Sequence, residues 1–175
     1  KELNNVSSVA DTVVVPEVLA QGGAIYISGN EAVIDKSIIN STDAVYGGGL
    51  YIAGDDVKVN NSEFTNLYSS EDGGAIYITG QRGQLYNSKF INNTAGDDGG
   101  AINWVGDVGL VKHIICYNNA GVAYADPVTG ASSSLGGTMC IEGHNVTVTE
   151  SSFTLSKVLY NQGELKKTNA GAIAI

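Results

Sequence analysis

A glycine-led element that returns along the chain leaves few folds open, because self-similar units bury apolar surface by stacking one on the next. Gly22-Gly23-Ala24-Ile25-Tyr26-Ile27-Ser28-Gly29 comes back as Gly47-Gly48-Gly49-Leu50-Tyr51-Ile52-Ala53-Gly54 and as Gly73-Gly74-Ala75-Ile76-Tyr77-Ile78-Thr79-Gly80. Further copies are Gly99-Gly100-Ala101-Ile102-Asn103-Trp104-Val105-Gly106, Gly136-Gly137-Thr138-Met139-Cys140-Ile141-Glu142-Gly143 and Gly171-Ala172-Ile173-Ala174-Ile175. From Gly22 to Gly136 the leading glycines step by 25, 26, 26 and 37 residues. An apolar column at Ile39, Phe64, Phe90, Cys116 and Phe153 steps by the same intervals. Two columns sharing one irregular spacing define a unit of about 25 residues, the fourth of which carries an insertion of about 11.

Within each unit the apolar residues alternate, the period of a strand and not of a helix. Ile25/Ile27, Leu50/Ile52, Ile76/Ile78, Ile102/Trp104 and Met139/Ile141 face inward from a first strand. Ile34, Val59, Leu85, Val111 and Val148 mark a second, and the Ile39 to Phe153 column marks a third. The glycines ahead of the first strand mark a bend that needs positive φ or close backbone approach. The expected fold is all-β: a single-stranded parallel β-helix (β-solenoid) of about six coils, one domain over residues 1–175, with loops at about 120–135 and 157–169.

Composition narrows the function. With 43% apolar and 15% charged residues the chain is an ordered globular one, and 23 glycines disfavour helix. Net charge is −9 and Arg82 is the single arginine, so no basic stripe exists for nucleic acid or anionic lipid. No apolar run reaches the roughly 20 residues of a bilayer-spanning helix, so membrane insertion is not expected. The start at Lys1, without Met or an apolar leader, reads as a processed secreted product. Cys116 falls in an inward column and Cys140 in an outward one, which argues against a disulfide between them.

The run Phe90-Ile91-Asn92-Asn93-Thr94-Ala95-Gly96-Asp97-Asp98-Gly99-Gly100-Ala101-Ile102 resembles the repeat of chlamydial polymorphic outer membrane proteins, which pairs GGAI with an F-x-x-N element. The pattern is similar also to adhesin-like surface proteins of methanogenic archaea. Gly73 to Ile76 with Phe64 and Asn66, and Gly22 to Ile25, match it; Gly49-Leu50, Thr138-Met139 and Cys116 in place of Phe depart from it. The resemblance implies right-handed parallel coils, a surface location and an adhesive or structural role. It carries over no catalytic residue.

Several residues stand out as sites. Tyr26, Tyr51 and Tyr77, continued by Asn103, form an outward column, either a binding face for protein or glycan or a sheet-stabilising ladder. Glu71-Asp72 and Asp97-Asp98 occupy the same turn of successive coils; Ca²⁺ is the one cofactor they could hold, and solvent screening relieves their repulsion equally well. Asn66, Asn92 and Asn118 are expected to form an internal ladder satisfying turn backbone groups. Asp56, one coil from Arg82, is expected to form a surface ion pair with it. Sequons stand at Asn5, Asn40, Asn60, Asn92 and Asn145. His113 and His144 are separated by a coil and an insertion, and with one arginine a polysaccharide-cleaving centre is hard to assemble, so no enzyme is expected.

Residues 9–15, including Val13, Val14 and Val15, align with the second half of a coil, and Ala172, Ile173, Ala174 and Ile175 with a first strand. Such ends can complete a coil head to tail between copies, or can be cut from a longer repeat array. The functional expectation is an extracellular, non-enzymatic cell-surface segment that acts as an adhesin or stalk. A self-assembling filament subunit is the alternative, and a polysaccharide-active enzyme the third.

Overall fold

A computed structural model describes residues 20–125, 132–160, 167–169 and 171–175. Val13, Val14, Val15 and the Asn5 sequon lie outside the described residues. No helix occurs among the described residues, and the strands pair in parallel at the offsets the repeat dictates. Ile25 aligns with Leu50, Leu50 with Ile76, Ile76 with Ile102 and Ile102 with Met139. From Ile25 to Met139 the chain thus makes four turns of a parallel β-solenoid. Ile173 follows on Met139, but the passage to it crosses residues outside the description, so six whole coils are not established.

Each coil has four sides where the apolar pattern predicts three. Two-residue strands at Asp43–Ala44, Tyr68–Ser69 and Thr94–Ala95 open a fourth sheet, too short for alternation to register in the sequence. The corners explain the shape. Besides the glycines Gly22, Gly47, Gly73, Gly99 and Gly136, three columns of non-glycine residues take positive φ in every coil. One runs Asp56, Arg82, Val108 and another Asn61, Asn87, His113; the third is Asn66, Asn92, Asn118, with φ of 54°, 56° and 54°. Asparagine tolerates this left-handed region best among residues bearing a Cβ, which accounts for its recurrence at the corners. Corner amides then donate to the next coil, as Asn66 N–H does to the Ile91 carbonyl at 3.1 Å.

The inward columns stack into continuous ladders. Leu50, Ile76, Ile102, Leu85, Val111 and Phe90 are fully buried, and the Phe64 and Phe90 rings lie 4.9 Å apart and 4° from parallel. An asparagine ladder runs inside, and the sequence reading misplaces it by one residue. Asn66 and Asn92 are exposed, with side chains bonded along the surface (Asn92 Nδ2 to Asn66 Oδ1, 3.3 Å), because a left-handed corner turns its side chain outward. The internal pair is Asn93 and Asn119, both fully buried. Asn93 Oδ1 accepts the Leu67 N–H, its Nδ2 donates to the Phe64 carbonyl, and Asn119 Oδ1 accepts the Asn93 N–H. These asparagines stand three residues after Phe90 and Cys116, and they close the turn after the third strand with no polar group left over.

The segments read as loops are corrected too. Ala120–Ala125 and Ser132–Leu135 form an antiparallel arm that extends the fourth side. Lys157–Tyr160 pairs in parallel with the first of these strands and Lys167–Asn169 with the second. Small and polar residues give no strand pattern here, and pairing with an existing edge imposes one. At the C-terminal end the core opens into a cavity of about 620 Å³ lined by Ile141, Val146, Val148, Phe153 and Ile173, with Ile175 98% exposed beside it.

Candidate functional site: an aromatic and acidic face on the first sheet

The outward side of the first sheet changes character along the stack. At its N-terminal end Tyr26 and Tyr51 stack with ring centroids 5.3 Å apart, and Tyr51 and Tyr77 follow at 5.2 Å. Tyr26 is 51% exposed, while Tyr51 and Tyr77 are half-buried. A fourth ring, absent from the sequence reading, joins them: Tyr46 lies 5.1 Å from Tyr77. Tyr46 precedes the Gly47-Gly48 bend, so a residue at that place in the coil folds across the outward face of the coil after it.

The same offset leads from Asp72 to Asn103 and, with the insertion added, from Asp98 to Cys140. The face therefore closes where carboxylates replace Tyr46. Asn103, expected as the end of an open strip, is fully buried, and Cys140, expected to be outward and open, is 1% exposed. Both cysteines are free thiols, and burial, followed by the nearby Asp98, pushes the Cys140 thiol up to about 12. Asp72 and Asp98 also tie coil to coil: Asp72 Oδ1 accepts the Asp98 N–H at 3.1 Å and Asp98 Oδ1 accepts the Leu135 N–H at 2.6 Å.

Crowding of carboxylates leaves its mark on their acidity. Burial, reinforced by Asp98 and Glu142, raises Asp72 to about 6. Burial again, with Asp98, Asp72 and Glu71 adding repulsion, raises Asp97 to about 7. Both protons leave near 3.8 once the chain unfolds. Between that value and about 7 the folded chain binds more protons than the unfolded one, so stability is highest at the acid end and falls as pH rises to neutrality. Asp56 and Asp107, whose carboxyls are lowered by hydrogen bonds to Arg82 and His144 respectively, titrate below this window, and Glu150 is lowered by its hydrogen bond to Lys112. Thermal melts are expected to give a Tm several degrees higher at pH 5 than at pH 8, with Asp97→Asn removing most of the difference. A flat profile, or a rise with pH, would contradict this reading of the cluster.

Among the described residues no group of three or more Asp, Glu, His or Cys side chains stands ready-made as a metal cage, so Glu71, Asp72, Asp97 and Asp98 do not by themselves form one. The remaining sequence features are surface ones. Arg82 pairs with Asp56 at 2.9 Å through two nitrogens and with Asp55 at 3.1 Å. His113 meets Glu150, and His144 lies 3.2 Å from Asp107. The sequon asparagines Asn40, Asn92 and Asn145 are exposed and Asn60 is half-buried.

Residues 87–103 match the sequence model of the Chlamydia polymorphic membrane protein (Chlamydia_PMP) repeat. The matched stretch runs from the Asn87 corner through Phe90 and the buried Asn93 to the Gly99-Gly100-Ala101-Ile102 strand, over the third and fourth sides of one coil and onto the first side of the next. The chain fits an adhesin-like β-helix repeat protein. No curated protein and no solved structure matches it. Among the described residues no helix is long and apolar enough to cross a membrane.

Proposed function

We propose that this chain is part of a cell-surface β-helix that works by attachment and not by chemistry, a segment of an adhesin or its stalk. The repeat match at residues 87–103, on a chain whose described coils all follow the same register, carries the reading. The coils wind right-handed, as parallel crossovers do in nearly all proteins. A stack of this kind suits a stalk, because coil-to-coil hydrogen bonds and side-chain ladders make length without a hinge. The partner is a protein or glycan of the opposing surface, met by the tyrosine strip at Tyr26, Tyr51 and Tyr77 with Tyr46 beside it; stacked aromatic rings suit both. With net charge −9, nucleic acid is not a partner.

A second reading is head-to-tail assembly, in which a further coil pairs with the Ile173–Ala174 strand of the first sheet. In that case adjoining repeats or further copies of the chain are the partner. The surface reading is tested by antibodies against the folded chain applied to intact source cells. Labelling without permeabilisation is the expected result, and labelling that needs permeabilisation overturns it.

A further inference from the structure

We propose that Asp72, Asp98 and the amide oxygen of Asn103, with Glu142 at the rim, form a site for a divalent cation of the calcium kind on the outer side of the first sheet. The observation that calls for a ligand is Asn103. Its side chain is completely buried, yet neither its oxygen nor its nitrogen has a hydrogen-bond partner. An orphaned buried amide is costly, and native folds rarely tolerate one unless an ion or water completes it; a cation completes the oxygen.

Asn103 stands beside the acidic cluster, on the outward side of the first strand. Its register partners on either side are Tyr77 and Cys140. Asp72 and Glu142 act electrostatically on both of these neighbours, and Asp98 acts most strongly of the charges on Cys140. Asn103, in register between those two neighbours, shares the field of Asp72, Asp98 and Glu142, to which Asp97 and Glu71 add their charge. None of the described ion pairs involves any of these five carboxylates.

The donor set decides the kind of ion. Carboxylate and amide oxygens are hard ligands and suit calcium. Because no three acidic side chains are already at ligand distance, the cation would itself draw Asp72 and Asp98 in, Asn103 being the fixed element held by the sheet. Asp72 and Asp98 each cap a backbone amide of the neighbouring coil, so the ion would tie successive coils across the stretch where the tyrosine ladder stops. The site is independent of what the tyrosine strip binds.

Terbium titration tests this directly, since Tyr77 and Tyr46 are near enough to sensitise its luminescence. The purified chain is expected to give a saturable terbium signal that calcium chloride displaces, and a higher Tm in millimolar calcium. Asn103→Leu removes the orphaned amide and should fold at least as well, yet weaken terbium binding at least tenfold and lose the calcium-dependent rise in Tm. Asp72→Asn, nearly the same size, should do the same if the leucine variant fails to fold. Asp55→Asn, on the Arg82 corner, should change neither. Terbium binding that is as tight in both Asn103→Leu and Asp72→Asn as in the parent, or no saturable signal at all, overturns the proposal and leaves a diffuse acidic surface.

Discussion

Gly74→Ala is expected to cost about 3 kcal/mol or more and to lower Tm by roughly six to twelve degrees, although the substitution is among the mildest that chemistry offers. An ideal Cβ on Gly74 would lie 2.1 Å from the Gly100 carbonyl oxygen and 2.6 Å from the Thr94 carbonyl carbon. Both are backbone atoms of the same stack, so no side chain can turn aside. The coils would have to part, and the Gly74 N–H to Gly99 carbonyl bond, 3.1 Å long, would stretch with its neighbours. Each such bond is worth about 1 kcal/mol, and a native domain has only about 5–15 kcal/mol in hand. Gly48 and Gly100 meet the next coil in the same way, with a Cβ 2.4 Å and 2.3 Å from the Gly74 and Gly137 carbonyl oxygens. Gly29 supplies the control: nothing lies within 4 Å of its Cβ, and Gly29→Ala should stay within about 0.5 kcal/mol of the parent. Urea or thermal denaturation of the two variants side by side makes the comparison, and equal stabilities would mean that the glycine column is not where the coils touch.

That contrast between Gly29 and Gly74 also marks the limit of what the chain discloses in one dimension. Columns are legible, because stacking forces Ile25, Leu50, Ile76 and Ile102 to recur at one interval, and the register followed. The direction in which a corner residue leans across its neighbour is not legible. Asp72 stands at the same step from Asn103 as Tyr46 does from Tyr77, and only the folded coil shows that the tyrosine column ends there in a buried amide. The asparagine column went astray for a related reason. Asn66, Asn92 and Asn118 repeat as faithfully as any core position, but what fixes them is a backbone angle at an outer corner, whereas Asn93 and Asn119 are fixed by the carbonyls they cap inside. Repetition alone does not tell the two causes apart. The three-residue spacing from Phe90 to Asn93 and from Cys116 to Asn119 was the signal that could have done so. The arm at Ala120–Ala125 and Ser132–Leu135 left no signal, since its strands are imposed by pairing on an edge and not by their own residues.

The tyrosine strip should carry most of the attachment. Tyr26 and Tyr51 present stacked rings at the open end of the face, and neither belongs to the buried core, so replacing both leaves the ladders intact. Aromatic anchors at the centre of a contact commonly contribute more than 1.4 kcal/mol each, a tenfold change in affinity. Beads coated with the chain, rinsed under flow over cultured epithelial cells, are expected to stay attached several-fold more often than albumin-coated beads. Beads carrying the Tyr26→Ser, Tyr51→Ser double variant, verified as folded by its melt, should fall back to the albumin level. Because this measurement reads attachment and its location together, it bears most directly on the account: retention that depends on the two tyrosines is the predicted result, and retention no better than albumin, or unchanged in the folded double variant, would contradict it.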